Sequence, residues 1–198
     1  MKKTKFALQI TVLSIVAIFL FSCNPIENTT RSNSLLIVVK ITGYDFEGSS
    51  ADYLQSDVLE EAGGAAYVTA DSAVATLRAE LLNPNTDAES SLYNGIFVTR
   101  YVVTYTRSDG RNTPGADVPY SFEGAMQSWI QIGQEEEIGF IIVREVAKAE
   151  PPLLDLHDAR EEGVLQVTAQ VDFYGYDTVN RQVKATGYLA IFFANYID

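Results

Sequence analysis

VLQVTAQVDFY (residues 164–174) and QVKATGYLAIFF (residues 182–193) decide the fold. In the first, Leu165, Val167, Ala169, Val171 and Phe173 alternate with Gln166, Thr168, Gln170 and Asp172. In the second, Val183, Ala185, Gly187, Leu189, Ile191 and Phe193 hold the apolar positions. A period of two puts alternate side chains on opposite faces of a strand. Each segment is therefore expected to have one dry and one wet face, as in an antiparallel sheet packed on one side. Asp177-Thr178-Val179-Asn180 lies between them and reads as the turn of a hairpin.

The same alternation extends toward the N-terminus. Residues 95–107 (GIFVTRYVVTYTR) form a long expected strand that ends at the turn Ser108-Asp109-Gly110. Residues 35–42 (LLIVVKIT) read as the first strand, residues 128–132 as a short one carrying Trp129, and residues 138–146 as another. Residues 71–83 (DSAVATLRAELLN) fit two patterns. Propensity favours a helix capped by Asp71 or Ser72. The period of two across Ala73, Ala75, Leu77, Ala79 and Leu81, in a chain otherwise rich in strands, favours a strand, and strand is the expectation. Residues 43–64 read as irregular with a helical turn over 57–62, and residues 67–69 as a brief strand contact. Residues 111–119 read as a loop, Glu135-Glu136-Glu137 as a solvated turn, and residues 148–158, with Pro151-Pro152, as a rigid crossover between sheets. About seven strands separated by turn signals imply an all-β fold, a single immunoglobulin-like antiparallel β-sandwich over residues 35–198.

The N-terminal segment has a different character. Lys2, Lys3 and Lys5 precede an apolar run over residues 6–21, which is shorter than the roughly 20 residues that span a bilayer. Its charge, length and polar continuation are those of a signal peptide over residues 1–22. Leu20-Phe21-Ser22-Cys23 resembles the lipobox of bacterial lipoproteins, with Phe21 bulkier than the usual residue at its position. That resemblance implies cleavage before Cys23, the only cysteine, and acylation of its thiol. Each buried methylene of an acyl chain contributes about 0.8 kcal/mol, and stable anchoring takes more than one chain. Residues 23–34 then form the acylated cysteine and a polar tether. Eleven flexible residues reach about 18 Å, which keeps the domain near the membrane. Asn24 is not the acidic residue that retains some lipoproteins in the inner membrane, so the outer membrane is the expected location in a Gram-negative envelope.

Residues from 73 onward resemble immunoglobulin-like or fibronectin-type domains of bacterial envelope lipoproteins. The resemblance rests on Arg100-Tyr101 with Tyr105, on residues 107–115 (RSDGRNTPG), on Val118-Pro119-Tyr120, on Glu150-Pro151-Pro152 and on the final hairpin. It implies the sandwich fold and carries no catalytic residue. Such folds host many functions, so function has to be argued from sites.

Composition removes several classes. The chain has 14 basic and 26 acidic residues, a net charge of −12. Loss of residues 1–22 takes away three lysines, leaving 11 basic against 26 acidic side chains, a net of −15. Such a chain is repelled by nucleic acid, whose binding rests on Lys and Arg neutralising phosphates. A single cysteine excludes an internal disulfide. One histidine, His157, and one acylated cysteine cannot supply the usual nitrogen and sulfur ligands of a transition metal. Calcium needs only oxygen ligands, and Asp45, Glu47 and Asp52, or Asp155, Asp158, Glu161 and Glu162, are its candidates, although neither spacing is that of an EF-hand.

No Gly-x-Ser-x-Gly elbow or phosphate-binding glycine loop is present. His157 reads as a loop histidine, and no enzymatic activity and no cofactor are expected. The remaining candidates concern binding. Arg107, Asp109, Arg111 and Asn112 crowd one loop, where sandwich domains place binding groups. Phe173-Tyr174-Gly175-Tyr176, Tyr101 and Tyr105 either fill the core or present rings on a sheet face. The expectation is an interaction or surface-presentation module held to the membrane by its lipid, with another envelope protein as partner. The alternative is a calcium- or carbohydrate-dependent adhesion module.

Overall fold

The computed structural model describes residues 32–45, 48–62, 64–83, 94–158 and 163–196. Ser32–Asp198 forms one compact unit. The leader, Cys23 and most of the tether lie outside the described residues.

Eleven strands are described: β1 (Ser34–Tyr44), β2 (Ser50–Ala51), β3 (Tyr53–Asp57), β4 (Glu60–Ala62), β5 (Ala65–Tyr67), β6 (Asp71–Leu81), β7 (Gly95–Thr106), β8 (Phe122–Gln131), β9 (Glu135–Val143), β10 (Leu165–Asp177) and β11 (Gln182–Ala194). One sheet has the order β2-β1-β6-β9, the other β3-β11-β10-β7-β8, and β4-β5 is a small separate pair. The long strands β1, β6 and β9 pair antiparallel in one sheet, and β8, β7, β10 and β11 do so in the other. In chain order this is the A-B-E and C′-C-F-G partition of an immunoglobulin-type sandwich. The short β3 adds to β11 in parallel.

Alternation explains most of these elements. Leu165, Val167, Ala169, Val171 and Phe173 on β10, with Val183, Ala185, Leu189, Ile191 and Phe193 on β11, are all buried. Between the two strands, Asp177 Oδ1 accepts hydrogen bonds from the backbone N–H groups of Val179 (3.0 Å) and Arg181 (2.8 Å). Asn180 takes a positive φ of 61°, which asparagine tolerates. Residues 71–81 form strand rather than helix because their inward positions are filled completely. Ala73, Ala75, Leu77 and Ala79 have no exposed surface, and burial on a two-sided sheet outweighs a propensity difference of a few tenths of a kcal/mol per residue. Tyr101, Phe140 and Phe173 stack edge to face through the centre, with ring centroids 5.1 and 5.5 Å apart.

Six expectations need correction. Residues 57–62 form no helical turn: the Val58 N–H bonds the Ala194 carbonyl at 2.9 Å, which keeps the chain extended beside β11, and β4 follows. The irregular stretch 43–64 thus contains three short strands, and the strand contact placed at 67–69 is β5, Ala65–Tyr67. Glu135-Glu136-Glu137 is no turn, because the reversal is complete at Gly133, whose N–H bonds the Ala79 carbonyl at 2.7 Å. The three glutamates open β9 at a sheet edge, where charge discourages further pairing. Finally, β8 starts at Phe122, well before residue 128, and β9 ends at Val143, before a four-residue helix, α1 (Glu145–Lys148). The crossover from β9 to β10 passes between the sheets as expected, and Pro151-Pro152 within it is cis.

Candidate functional site

The outer face of the five-stranded sheet holds the most developed surface feature. Register places Trp129 of β8 beside Phe97 of β7, and Phe97 beside Tyr176 of β10. Three aromatic residues therefore form one cross-strand row, and Tyr176 is followed by Gln182 of β11. Trp129 is 42% exposed and Phe97 36%. Gly95 makes this possible for Trp129, whose ring lies where a Cβ of residue 95 would stand. The neighbouring row is cationic: Arg100 and Lys184 are the register partners of Tyr174. The Arg100 guanidinium lies 3.9 Å from the centre of the Tyr174 ring, and Lys184 Nζ lies 5.4 Å from it. Such contacts fix both the ring and the cations.

A bulge in β7 shapes this face. Register jumps from Val98 to Arg100 on β7 opposite the consecutive residues Tyr174 and Gly175 of β10, so Thr99 is the extra residue. Here the two backbones lie so close that a Cβ on Gly175 would run into the Phe97 carbonyl. Bulges bend a strand and re-aim its side chains, and they recur next to functional sites. This one leaves a depression of about 280 Å³ lined by Thr99, Arg100, Tyr174, Tyr176, Gln182 and Lys184.

The charges around the depression are balanced locally. Arg100 pairs with Glu123 at 3.2 Å and Lys184 with Asp172 at 2.9 Å. Asp172 also accepts hydrogen bonds from the Thr186 hydroxyl (2.6 Å) and the Gln170 amide (3.3 Å). Burial pushes the Asp172 carboxyl up, but Thr186, Lys184 and Gln170 together hold it below the ordinary value. The site is thus a neutral, aromatic, polar-rimmed surface on a strongly acidic protein. It has the composition of a recognition surface.

The loop group expected from the sequence does converge. Asp109 accepts from Arg107 Nε (3.1 Å) and Nη2 (2.6 Å) and from Arg111 Nε (2.9 Å). Asn112 Oδ1 accepts from the Arg107 backbone N–H at 2.6 Å. The two guanidinium groups, Arg107 foremost, hold the Asp109 carboxyl far below its usual range. Asp109 ties the two arginine side chains together and Asn112 holds the Arg107 backbone, so the four residues set the shape of the loop.

His157 Nε2–H donates to the Lys148 carbonyl at 3.0 Å, so that ring nitrogen serves the crossover. Of the calcium candidates, Glu47, Glu161 and Glu162 lie outside the described residues. Asp45 Oδ1 accepts from the Ser49 N–H at 2.7 Å. Among the described residues no group of three His, Cys, Asp or Glu side chains is placed to hold a metal ion.

Tyr101, Tyr105 and Phe173 are buried, whereas Tyr174 and Tyr176 are half-buried on the outer face. Sequence reading missed that Phe97 and Trp129 join them. Phe97 counts as a member of an alternating strand, but the bulge after Val98 changes which face the later residues occupy. A second omission is Lys148. It is wholly buried, with Nζ 3.0 Å from Asp71 Oδ1, while Asp71 Oδ2 accepts from the Ser56 hydroxyl at 2.6 Å. A lysine beside a Pro-Pro pair gives no sign of burial in sequence.

The chain matches no protein-family model, and no curated protein matches it. Among the described residues no helix is long and apolar enough to cross a membrane.

Proposed function

We infer that this protein is a non-enzymatic interaction module, anchored to the cell envelope by acyl chains on Cys23, that binds another envelope protein through the outer face of the five-stranded sheet. The observation that carries this reading is the exposed row Trp129–Phe97–Tyr176 beside the Arg100–Tyr174–Lys184 cluster. Tryptophan, tyrosine and arginine supply most of the binding energy at protein interfaces. The rings and cations are also pre-positioned by the β7 bulge and by their own contacts, which lowers the ordering cost of binding. The lipobox-like Leu20-Phe21-Ser22-Cys23 supports the anchor, and the short polar segment after it supports a position near the membrane.

Chemical crosslinking of the natively anchored protein in its own envelope tests this reading. The expected result is one dominant protein partner in fixed ratio, lost on Trp129→Ala while the domain stays folded. Retention of that partner in the variant, or substrate turnover by the purified domain, would contradict it.

The depression itself favours a second reading, carbohydrate binding. Its Tyr174 and Tyr176 rings, rimmed by Gln182, Thr99 and Arg100, offer an apolar wall with a few polar groups, the usual make-up of a small-ligand site. A glycan panel read by thermal melting separates the two: a specific sugar raises the midpoint by mass action, and a flat panel removes this reading.

A further inference from the structure

Lys148 is the only buried cation among the described residues, and its side chain has no exposed surface. An ammonium carries three N–H donors. Among the described residues, Nζ has one acceptor, Asp71 Oδ1 at 3.0 Å. Burying a charge with two unanswered donors is costly. Burial also pushes the Asp71 carboxyl up, against the opposing pull of Lys148, toward its neutral form. The two groups are held in direct contact, and an amine held against a carboxylic acid is the reactant pair of an amide.

We propose that Lys148 and Asp71 condense to an intramolecular isopeptide bond. One ammonium proton passes to Asp71 Oδ1 along the existing hydrogen bond. The freed Nζ lone pair attacks Cγ, and negative charge develops on Oδ2. Ser56 is placed to stabilise that charge, because its hydroxyl already donates to Oδ2 at 2.6 Å, and a preset donor aimed at developing charge lowers the barrier. A second proton then moves from nitrogen to the protonated oxygen, the Cγ–Oδ1 bond breaks and one water leaves. The Nζ–Cγ bond replaces it, nitrogen keeps one hydrogen, and nothing is oxidised or reduced.

Glu60 opens onto the same cleft as Asp71, accepts a hydrogen bond from the Thr69 hydroxyl, and acts on the charge of Asp71. Asp45 and Asp57 line the cleft too, but Glu60 is the carboxylate whose charge acts on Asp71, and the relay of the second proton is assigned to it. The cleft, of about 350 Å³, gives the water a way out. Holding two reactants in contact replaces a bimolecular encounter with a unimolecular step.

The bond would join the first residue of β6 to the last residue of α1, 77 positions apart. It would tie the crossover to the four-stranded sheet, the service a disulfide performs elsewhere. Cys23, the only cysteine, leaves no disulfide for that purpose.

The test is peptide mapping of the full-length protein as purified, denatured and digested with trypsin. Cleavage after Arg144 and Lys148 releases residues 145–148 if the lysine is free. The expected result is loss of that peptide and appearance of a branched peptide joining the segments of Asp71 and Lys148, lighter than their sum by one water. Asp71→Ala should restore cleavage after Lys148, and Asp71→Asn should give the same branched peptide by loss of ammonia. Full release of residues 145–148 from the unmutated protein, with no branched species, would overturn the proposal even if neither variant folds.

Discussion

The Tyr105 hydroxyl joins the two sheets across the core, donating from β7 to the Ile142 carbonyl of β9 at 2.6 Å. Burial pushes its ionisation far above the ordinary tyrosine range, so it remains a donor throughout the physiological range. Tyr105→Phe leaves that carbonyl without its partner, and a loss of about 1–3 kcal/mol is expected, measurable by chemical denaturation. Asp172 makes a pH-dependent contribution. Its folded value lies below the unfolded value of 3.8, so its stabilisation is present above that pH and is lost as pH falls through the lowered folded value. The stability difference between the natural protein and Asp172→Asn should be constant near neutrality and shrink on acidification below pH 3.8. Sequence placed Tyr105 only as a ring that fills core or lines a face. Which carbonyl it reaches depends on how two strands from different sheets oppose each other, and local pattern carries no such information. Lys148 was hidden for the same reason: its partner, Asp71, is 77 positions away.

Among the elements, β6 shows how far pattern can lead. Its residues suit a helix by propensity, yet the odd-numbered positions from Ala73 to Ala79 are completely buried and the segment pairs with strands on both sides. Leu77→Ala should cost about 2–5 kcal/mol, as large-to-small core substitutions do, and denaturant midpoints would register it. The final hairpin was legible almost residue by residue, because its alternation is strict and its Asp177 turn is chemically distinct. The first half of β8 was not, since Glu123, Gly124 and Ala125 interrupt any apolar period. The three glutamates of β9 misled for a related reason: charge at a sheet edge resembles charge in a turn. The candidate site was legible only in its tyrosines. Its floor depends on the bulge at Thr99 of β7, which inverts the alternation partway along that strand while β10 keeps its own.

For the molecule as a whole, the net charge of −12 favours solubility and opposes contact with anionic surfaces. In the proposed arrangement, membrane attachment comes from the lipid on Cys23. Cys23→Ser should abolish fatty-acid labelling and move the protein from the membrane to the soluble fraction, while the circular dichroism of the domain stays that of a β-sandwich. On such a tether, the neutral aromatic face is the surface best suited to meet a neighbour. The central claim is tested most directly by a photo-reactive residue at Gln182, at the rim of the depression, compared with one at Glu136 on the edge of the other sheet, both in the anchored protein in its own envelope. The account predicts a discrete protein adduct from position 182, none from position 136, and loss of the adduct when Trp129→Ala is added. Equal adducts from both positions, or adducts from position 136 alone, would contradict it.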